Sequence, residues 1–196
     1  MSHKNVLAVD FGASSGRVML GNFDGNRLSI QEIHRFPNDP VILNGTMYWD
    51  FLRLFYEVKQ GLMKAKKYGK IDSIGVDTWG VDFGLIDKEG NLLENPVHYR
   101  DARTAGMLEK SFGKMDKDRF YQITGSQFME INTVFQLLAL LEKRPGLLEG
   151  TSRLLLMPDL FNYYLCGAQV SEYSIASTTQ MLDSRTKCGQ RKCWRA

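Results

Sequence analysis

Short stretches of apolar or alternating residues occur three times at the start of the chain. Residues 5–10, 16–23 and 27–36 show this pattern and are predicted to be strands. The tripeptide Asp24-Gly25-Asn26 is a turn signal, so it predicts a hairpin between the second and third strands. The N-terminal part of the chain is therefore predicted to be an antiparallel meander.

The apolar spacing changes at residue 51. Over residues 51–67 the apolar side chains recur every three or four positions, which predicts an amphipathic helix that Gly69 ends. Residues 71–77 predict a strand in a mostly parallel sheet. Residues 83–87, with the turn at 88–91, predict a second hairpin.

The rest of the chain predicts helices that alternate with a strand. Helices are predicted at residues 115–123, 133–143 and 159–166, and a buried strand at 154–157. Residues 171–186 are rich in Ser and Thr but contain apolar side chains, so an ordered loop is expected there. The predicted fold class is mixed α/β, with the antiparallel meander first and parallel strands flanked by helices after it.

Composition limits the functions that this pattern could serve. The 196 residues are 43% hydrophobic and 24% charged, as in an ordinary globular domain. The net charge of +3 is scattered, and its longest run, at residues 64–67, lies on the polar side of a predicted helix. No apolar run reaches the roughly 18 residues of a membrane span, and the N-terminal run is too short for a signal peptide. We therefore expect a cytoplasmic protein that binds neither nucleic acid nor a membrane.

The three cysteines do not suggest a disulfide framework. Cys166 follows an aromatic, apolar stretch and is predicted to be a core residue. Cys188 and Cys193 have a spacing that is a poor metal signal.

The segment Asp10–Arg17 carries the strongest candidate chemistry. Glycines and small residues let backbone N–H groups converge on an anion, and serine hydroxyls and an arginine add donors. The segment is not a P-loop, because it lacks the GxxxxGK[ST] pattern and a strand follows it. An ordinary Gly/Ser hairpin turn is the alternative. Asp10 ends a strand and is expected to hold Mg²⁺ through water. The predicted phosphate-binding residues are Asp10, Gly12, Ala13, Ser14, Ser15, Gly16 and Arg17.

A second segment, Asp77–Phe83, is rich in side chains that suit a sugar. Trp79 offers a flat apolar face, Thr78 and Asp82 offer partners for hydroxyls, and Gly80 lets the backbone come close. A strand-to-strand loop with a core tryptophan is an equally good interpretation. A third segment, His98–Thr104, could form a ligand rim, although a structural loop of charged residues explains its spacing at least as well.

These segments resemble the FGGY carbohydrate kinases. Residues 9–18, Val-Asp-Phe-Gly-Ala-Ser-Ser-Gly-Arg-Val, resemble the family's first phosphate loop in the variant seen in rhamnulokinases. The resemblance covers roughly residues 4–187, because further segments match the same branch in order. Those segments are Glu32–Phe36, Asp72–Phe83, Tyr99–Asp101, Asn132–Thr133 with Gln136–Leu137, and Leu156–Asp159.

The resemblance implies two actin-like (ribonuclease H-like) domains around a cleft. Residues 1–187 would form the N-terminal domain, which holds most sugar contacts and one phosphate loop. ATP with Mg²⁺ would phosphorylate a ketose, L-rhamnulose in the rhamnulokinases, to the 1-phosphate. Ala13 to Arg17 would contact the ATP phosphates, and Asp10 would lie near Mg²⁺. The residues expected on the sugar side are Thr78, Trp79, Gly80, Asp82 and Asn132.

Two departures from the family pattern matter. Gln136 stands where many family members have a lysine, which favours the rhamnulokinase branch. The family's catalytic Asp lies in a Gly/His-Asp-Thr loop of the second domain, and no such loop occurs here. No catalytic residue is therefore assigned in this chain, and the chain alone is expected to be inactive. The alternatives are another FGGY kinase, acting for example on L-fuculose, or a non-catalytic sugar- or nucleotide-binding domain. Self-association through an exposed inter-domain face is also expected.

Residues 188–196 differ from the rest of the chain, with two of the three cysteines and little apolar pattern. If one base was lost at or just before codon 187, the genetic code permits the restored reading Val-Trp-Ser-Glu-Lys-Val-Leu-Glu. That reading is typical of the start of an amphipathic helix. The hypothesis is a frameshifted, truncated product, and the alternative is a natural divergent tail or a cloning scar.

Overall fold

A computed structural model describes residues 3–189, which form two units. The first unit comprises residues 3–41 and 49–79, and the second comprises residues 42–48 and 80–189. The tail predicted to arise from a frameshift covers residues 188–196, and residues 190–196 of it lie outside the described residues. Within residues 3–189, no helix has the length and apolar character needed to cross a membrane.

The first unit is built on a four-stranded mixed sheet in the order β3-β2-β1-β6. Strands β1 and β2, and β2 and β3, pair antiparallel, whereas β1 and β6 pair parallel. The predicted meander is therefore confirmed. Its elements, in chain order, are β1 (Lys4–Phe11), β2 (Ser15–Phe23), β3 (Leu28–Pro37), helix α1 (Phe51–Ala65), a 3-10 turn (Lys66–Tyr68) and β6 (Ser73–Asp77). The small hairpin of β4 (Val41–Leu43) and β5 (Thr46–Tyr48) comes between β3 and α1 in the chain but belongs mostly to the second unit.

Helix α1 covers one face of this sheet. It begins at Asp50, whose side chain accepts a hydrogen bond from Arg53 N, and Gly69 ends the following turn with φ +88°. The buried face includes Leu54 and Gly61, whereas Leu52, which the apolar pattern had assigned to the buried face, is 69% exposed. The pattern missed Gly61 because glycine carries no apolar signal. A Cβ there would lie 2.4 Å from the Val18 side chain, so the glycine lets α1 approach β2 closely.

The second unit packs helices around a two-stranded antiparallel sheet. Phe83 pairs with Leu156 across that sheet, and Leu85 and Leu140 complete one apolar cluster. Its further elements are β7 (Phe83–Ile86), a 3-10 turn (Ala102–Thr104), α2 (Met107–Phe112), α3 (Lys117–Thr124), α4 (Thr133–Lys143), α5 (Pro145–Glu149), β8 (Arg153–Leu156), α6 (Met157–Cys166) and α7 (Tyr173–Ser177). Helix α4 has the predicted bounds and contributes to both apolar clusters of this unit.

Three local predictions differ from the structure. The hairpin expected after β7 amounts to a single bridge, Ile86 to Leu92, because β7 pairs with the distant β8. The loop expected at 171–186 contains α7, whose first turn is capped by the Glu172 carboxylate. Cys166 is exposed rather than buried, since it ends α6 next to Gly167 and its Sγ donates to Asn162 O.

Candidate functional site

The glycine segment of the first unit is a tight loop between β1 and β2. Gly12 N donates to Ser15 O at 2.9 Å, which closes the turn. Asn38, which is only 1% exposed, holds the loop from behind. Its side chain donates to Gly12 O at 2.8 Å, and its own amide donates to Ser14 O at 3.1 Å. The loop is therefore a hairpin turn with a fixed shape.

Two backbone amides on this loop, those of Ala13 and Ser14, are available to a ligand. Ala13 and Ser14 are exposed, and among residues 3–189 their amides donate no hydrogen bond. Paired unbonded amides on a rigid turn suit an anion. The two glycines have other reasons to be glycine. A Cβ on Gly12 would lie 3.2 Å from Ser15 O, and a Cβ on Gly16 would lie 2.3 Å from the Phe36 ring.

Charged side chains flank the loop where the strands end. Asp10 and Arg17 are direct cross-strand neighbours, and Arg17 Nε lies 3.0 Å from Asp10 Oδ2 without aligning as a hydrogen bond. Both side chains are about two-fifths exposed, at 41% and 43%. Asp77 is the neighbour of Asp10 on the parallel strand β6, so both aspartates lie at the carboxyl ends of adjacent strands. Carboxylates of this kind suit Mg²⁺, which keeps most of its waters.

Trp79 is a packing residue of the first unit on at least one side. Its ring lies 3.9 Å from that of fully buried Trp49, at 31°, and meets the edge of Phe11 at 6.4 Å. One face of this half-buried ring is thus covered, and a sugar-binding role for Trp79 stays a prediction. The Thr78 hydroxyl donates locally to Trp79 O.

Asp82 lies at the centre of a buried polar network in the second unit. The side chain is 1% exposed, and its two oxygens accept from Gln136 Nε2 at 2.9 Å and from Tyr99 N at 3.1 Å. Gln136 also accepts from Arg103 Nη2 at 2.5 Å. The amide of Gln136 therefore links a carboxylate to a guanidinium. A lysine at this position would instead bring a second positive charge towards Arg103.

Arg103 is partly buried, next to both apolar and acidic side chains. Burial lowers the pKa of Arg103, while the Asp82 and Asp101 carboxylates oppose that shift. The guanidinium lies 5.9 Å from the Phe83 ring centroid, and its Nε is buried without a hydrogen bond. Sequence reasoning did not single out this arginine, because its partners lie tens of residues away.

Asn132 is also buried and engaged. Its side chain donates to Gln127 O at 2.9 Å and to Gln180 Oε1 at 2.7 Å. These contacts anchor the start of α4. A sugar-binding role for Asn132, as for Asp82, stays a prediction, and both side chains already have protein partners.

The segment His98–Thr104 forms a structural loop. Asp101 accepts from Met47 N at 2.8 Å and from Arg103 N at 2.9 Å. His98 is buried, and its Nδ1 accepts from Arg100 N at 2.9 Å. Burial, aided by the Arg100 charge, lowers the pKa of His98 to about 4, so the ring is neutral at pH 7. These contacts favour the structural interpretation of the loop over a ligand rim.

Comparison with known proteins adds independent information. The pattern of the FGGY family of carbohydrate kinases, N-terminal domain, matches residues 5–188. A rhamnulokinase of Oceanobacillus iheyensis is 43% identical over 182 residues, which cover 92% of this chain and 39% of that protein. A rhamnulokinase of Bacteroides thetaiotaomicron is 43% identical over 185 residues, covering 94% of this chain and 38% of that protein. The chain thus spans about two-fifths of the length of these relatives.

Solved structures agree with the fold. A gluconate kinase from Lactobacillus acidophilus superposes with a TM-score of 0.84 at 16% identity, over 98% of this chain and 39% of the other. A ligand-bound xylulose kinase from the same species gives 0.85 at 16% identity, over 97% of this chain and 39% of the other. The predicted actin-like (ribonuclease H-like) fold with its mixed sheet is confirmed. From its family match and its curated relatives, the chain belongs to the FGGY family of carbohydrate kinases, within the family's N-terminal domain.

Proposed function

We propose that this chain is the N-terminal part of a kinase that uses ATP to phosphorylate L-rhamnulose at its 1-hydroxyl. The observation that carries the proposal is the 43% identity with two rhamnulokinases over more than nine-tenths of the chain. The bridging amide of Gln136, where a lysine was the family expectation, supports the same branch. We call the longer protein, of which the chain would be a part, the parent kinase.

The first unit would handle the nucleotide phosphates. The amides of Ala13 and Ser14 fit phosphate oxygens, and Arg17 would add a positive charge beside them. Asp10, with its neighbour Asp77, would hold Mg²⁺ through water. When bound, the ion would neutralise charge on the β- and γ-phosphates of ATP.

The second unit would orient the sugar. Gly80 would present its main chain to the ketose, and the buried network of Asp82, Gln136 and Arg103 would keep that segment rigid. In the reaction the bond from the γ-phosphorus to ADP breaks, and a new bond forms to the sugar oxygen. The hydroxyl proton goes to a base that we place in the second domain of the parent kinase.

The chain alone would not complete this reaction. We propose that residues 1–187 are the kinase part and that residues 188–196 arise from a frameshift, with the second domain encoded downstream. Sequencing the coding DNA beyond codon 187 tests this. A shifted frame that continues for some hundreds of codons with a Gly/His-Asp-Thr loop would support it. A single frame that ends in a natural stop, with no kinase sequence in the other frames, would contradict it.

Activity is tested by kinetics on the parent kinase. We expect ADP release that depends on the ketose, with a higher kcat/KM for L-rhamnulose than for L-fuculose, and no ADP release from the isolated chain. A preference for L-fuculose would reassign the sugar. Saturable sugar binding without ADP release by the parent protein would instead indicate a non-catalytic binding module.

A further inference from the structure

The segment Gly80–Val81–Asp82 forms an unusually strained turn. Val81 has φ +68°, a left-handed conformation that β-branched residues rarely adopt. Asp82 N donates to Gly80 O at 2.9 Å across it, which is the hydrogen bond of a γ-turn. A γ-turn with positive φ at its central residue is rare and strained. Such a conformation persists only where the surroundings hold it.

Two threonine hydroxyls hold Val81 on both sides. Thr178 Oγ1 accepts from Val81 N at 3.0 Å, and Thr133 Oγ1 donates to Val81 O at 2.6 Å. Thr133 is fully buried, so its bond is shielded from water. The Thr178 hydroxyl donates in turn to Ile175 O at 2.7 Å, which leaves its lone pairs to face Val81.

Thr178 also fixes the residue before the strained one. A Cβ on Gly80 would lie 3.0 Å from Thr178 Cγ2 and 3.1 Å from its Oγ1. The close approach of Thr178 therefore favours glycine at position 80. One threonine thus sets both the position of Gly80 and the conformation of Val81.

The residue after the strained one is equally fixed. The Asp82 side chain is held by Gln136 and by Tyr99 N, and its carbonyl accepts from Met157 N at 3.1 Å. A relaxed turn would rotate the peptide planes at Gly80 and displace these contacts. The protein therefore maintains a costly backbone conformation at the segment expected to face the sugar.

We propose that Thr133 and Thr178 are positioning residues for the sugar subsite. Their hydroxyls hold Val81 in the left-handed region, and this directs the Gly80 main chain towards the ketose. The inference rests on the proposed function, because it takes Gly80 to be part of the sugar subsite. It extends that function by assigning the sugar's orientation to two side chains that need not touch the sugar.

The test combines hydroxyl removal with strain relief. Thr178→Val and Thr133→Val keep the side-chain volume. The first deletes the hydroxyl's bonds to Val81 N and Ile175 O, and the second deletes the bond to Val81 O. Val81→Gly permits the same φ without support, since glycine adopts positive φ readily. Thr179→Val is the matched control, because the Thr179 hydroxyl is bonded to Ala176 O and Met181 N and not to the turn.

In the parent kinase we expect Thr178→Val and Thr133→Val each to raise KM for L-rhamnulose about tenfold, the loss typical of one buried hydrogen bond. KM for ATP should stay within about twofold of the wild-type value. Thr→Ser at either position should restore the sugar KM, because the hydroxyl remains. In the Val81→Gly background, the rise in KM for L-rhamnulose caused by Thr178→Val or Thr133→Val should shrink to about threefold or less. Glycine adopts this turn without support from the two hydroxyls.

Unfolding of this chain provides a second readout. The equilibrium constant for unfolding should rise about tenfold for Thr178→Val and much less in the Val81→Gly background, whereas the effect of Thr179→Val should be the same in both backgrounds. Unchanged sugar KM in Thr178→Val and Thr133→Val, beside an active wild type, would overturn the positioning role. If the effects of Thr178→Val or Thr133→Val were simply added to those of Val81→Gly, the two hydroxyls would not be holding Val81 in its strained conformation. An inactive wild-type parent would overturn the proposed function itself, and the positioning role with it.

Discussion

The loop Gly12–Ser14 and the turn Gly80–Asp82 both contain glycine and both follow a short strand, yet they use their main-chain groups in opposite ways. In the loop, the exposed amides of Ala13 and Ser14 have no partner among residues 3–189. In the turn, Val81 is bonded through both its N–H and its carbonyl. The first arrangement suits a charged group that arrives and leaves, and the second suits a fixed orientation.

The charged side chains of the two regions differ in how far they are buried and bonded. The Asp10 and Arg17 side chains are each about two-fifths exposed, so their ion pair contributes little to stability and remains within reach of a ligand. Asp82 is buried and linked to Arg103 through Gln136, so it contributes to stability and has little freedom. Removing side chains should therefore affect binding in the first region and folding in the second.

The largest expected effect is the loss of the buried carboxylate. Asp82→Leu removes the acceptor of Tyr99 N, one acceptor of Gln136 Nε2 and one of the carboxylates that offset the charge of Arg103, so the free energy of unfolding should fall by about 3 kcal/mol. Urea denaturation of the isolated chain measures this. The double variant Asp82→Leu, Arg103→Met should lose less than the sum of the single losses. A loss below about 1 kcal/mol for Asp82→Leu would mean that the second region is not held by this network.

The next effect is a pH dependence in the loop that packs on Asp82. The pKa of His98 is about 4 in the folded chain, below its ordinary value of 6.5. The unfolded chain therefore binds a proton on His98 between pH 6.5 and about 4 while the folded chain does not. The contribution of neutral His98 to the free energy of unfolding is fully present above pH 6.5, and it is lost as the pH falls from 6.5 towards about 4. Compared with His98→Asn, the wild type should lose about 2 kcal/mol more between pH 7 and pH 4.5. Parallel stability curves for the two proteins would contradict this assignment.

A smaller effect separates packing from ligand binding in the first region. Gly16→Ala places a Cβ against the Phe36 ring, and the free energy of unfolding should fall by about 2 kcal/mol. Gly75→Ala is the matched control, since a Cβ at this strand glycine meets nothing within 4 Å. Thermal unfolding of both variants measures the difference. An unchanged Tm for Gly16→Ala would show that the glycine is not required by packing.

The smallest effect on stability is expected at the exposed charge. Arg17→Gln should change the free energy of unfolding by less than about 0.5 kcal/mol, because the side chains of the pair with Asp10 are partly exposed and Nε makes no aligned hydrogen bond in it. The same variant of the parent kinase should raise KM for ATP about tenfold, since a charge-assisted contact to phosphate is lost. A destabilised variant with normal ATP kinetics would reverse the roles given to the two regions.

What could be predicted from the sequence depended on whether the signal was local. The meander was visible from the turn at Asp24, and the bounds of α4 were predicted from its apolar spacing. Gly69 ended its helical segment as expected, because a positive φ at a helix end favours glycine. The pairing of β7 with β8 was missed, since some seventy residues separate strands that look like ordinary apolar runs.

The candidate site shows the same limit. The segment Asp10–Arg17 was conspicuous because its glycines, serines and charges are neighbours in sequence. Val81 gave no signal at all, because a valine in a strand-like stretch predicts extended backbone and not a left-handed turn. Thr133 and Thr178 became relevant only when the fold brought their hydroxyls to the N–H and the carbonyl of one residue, Val81.

The division of labour between the two regions is tested most directly by steady-state kinetics of the parent kinase with both substrates varied. The account predicts that Arg17→Gln raises KM for ATP about tenfold and leaves KM for L-rhamnulose unchanged. Thr178→Val should raise KM for L-rhamnulose about tenfold and leave KM for ATP within about twofold of the wild-type value. If either variant raised both KM values equally, or if the two effects were exchanged, the assignment of phosphate to the loop and sugar to the turn would be wrong.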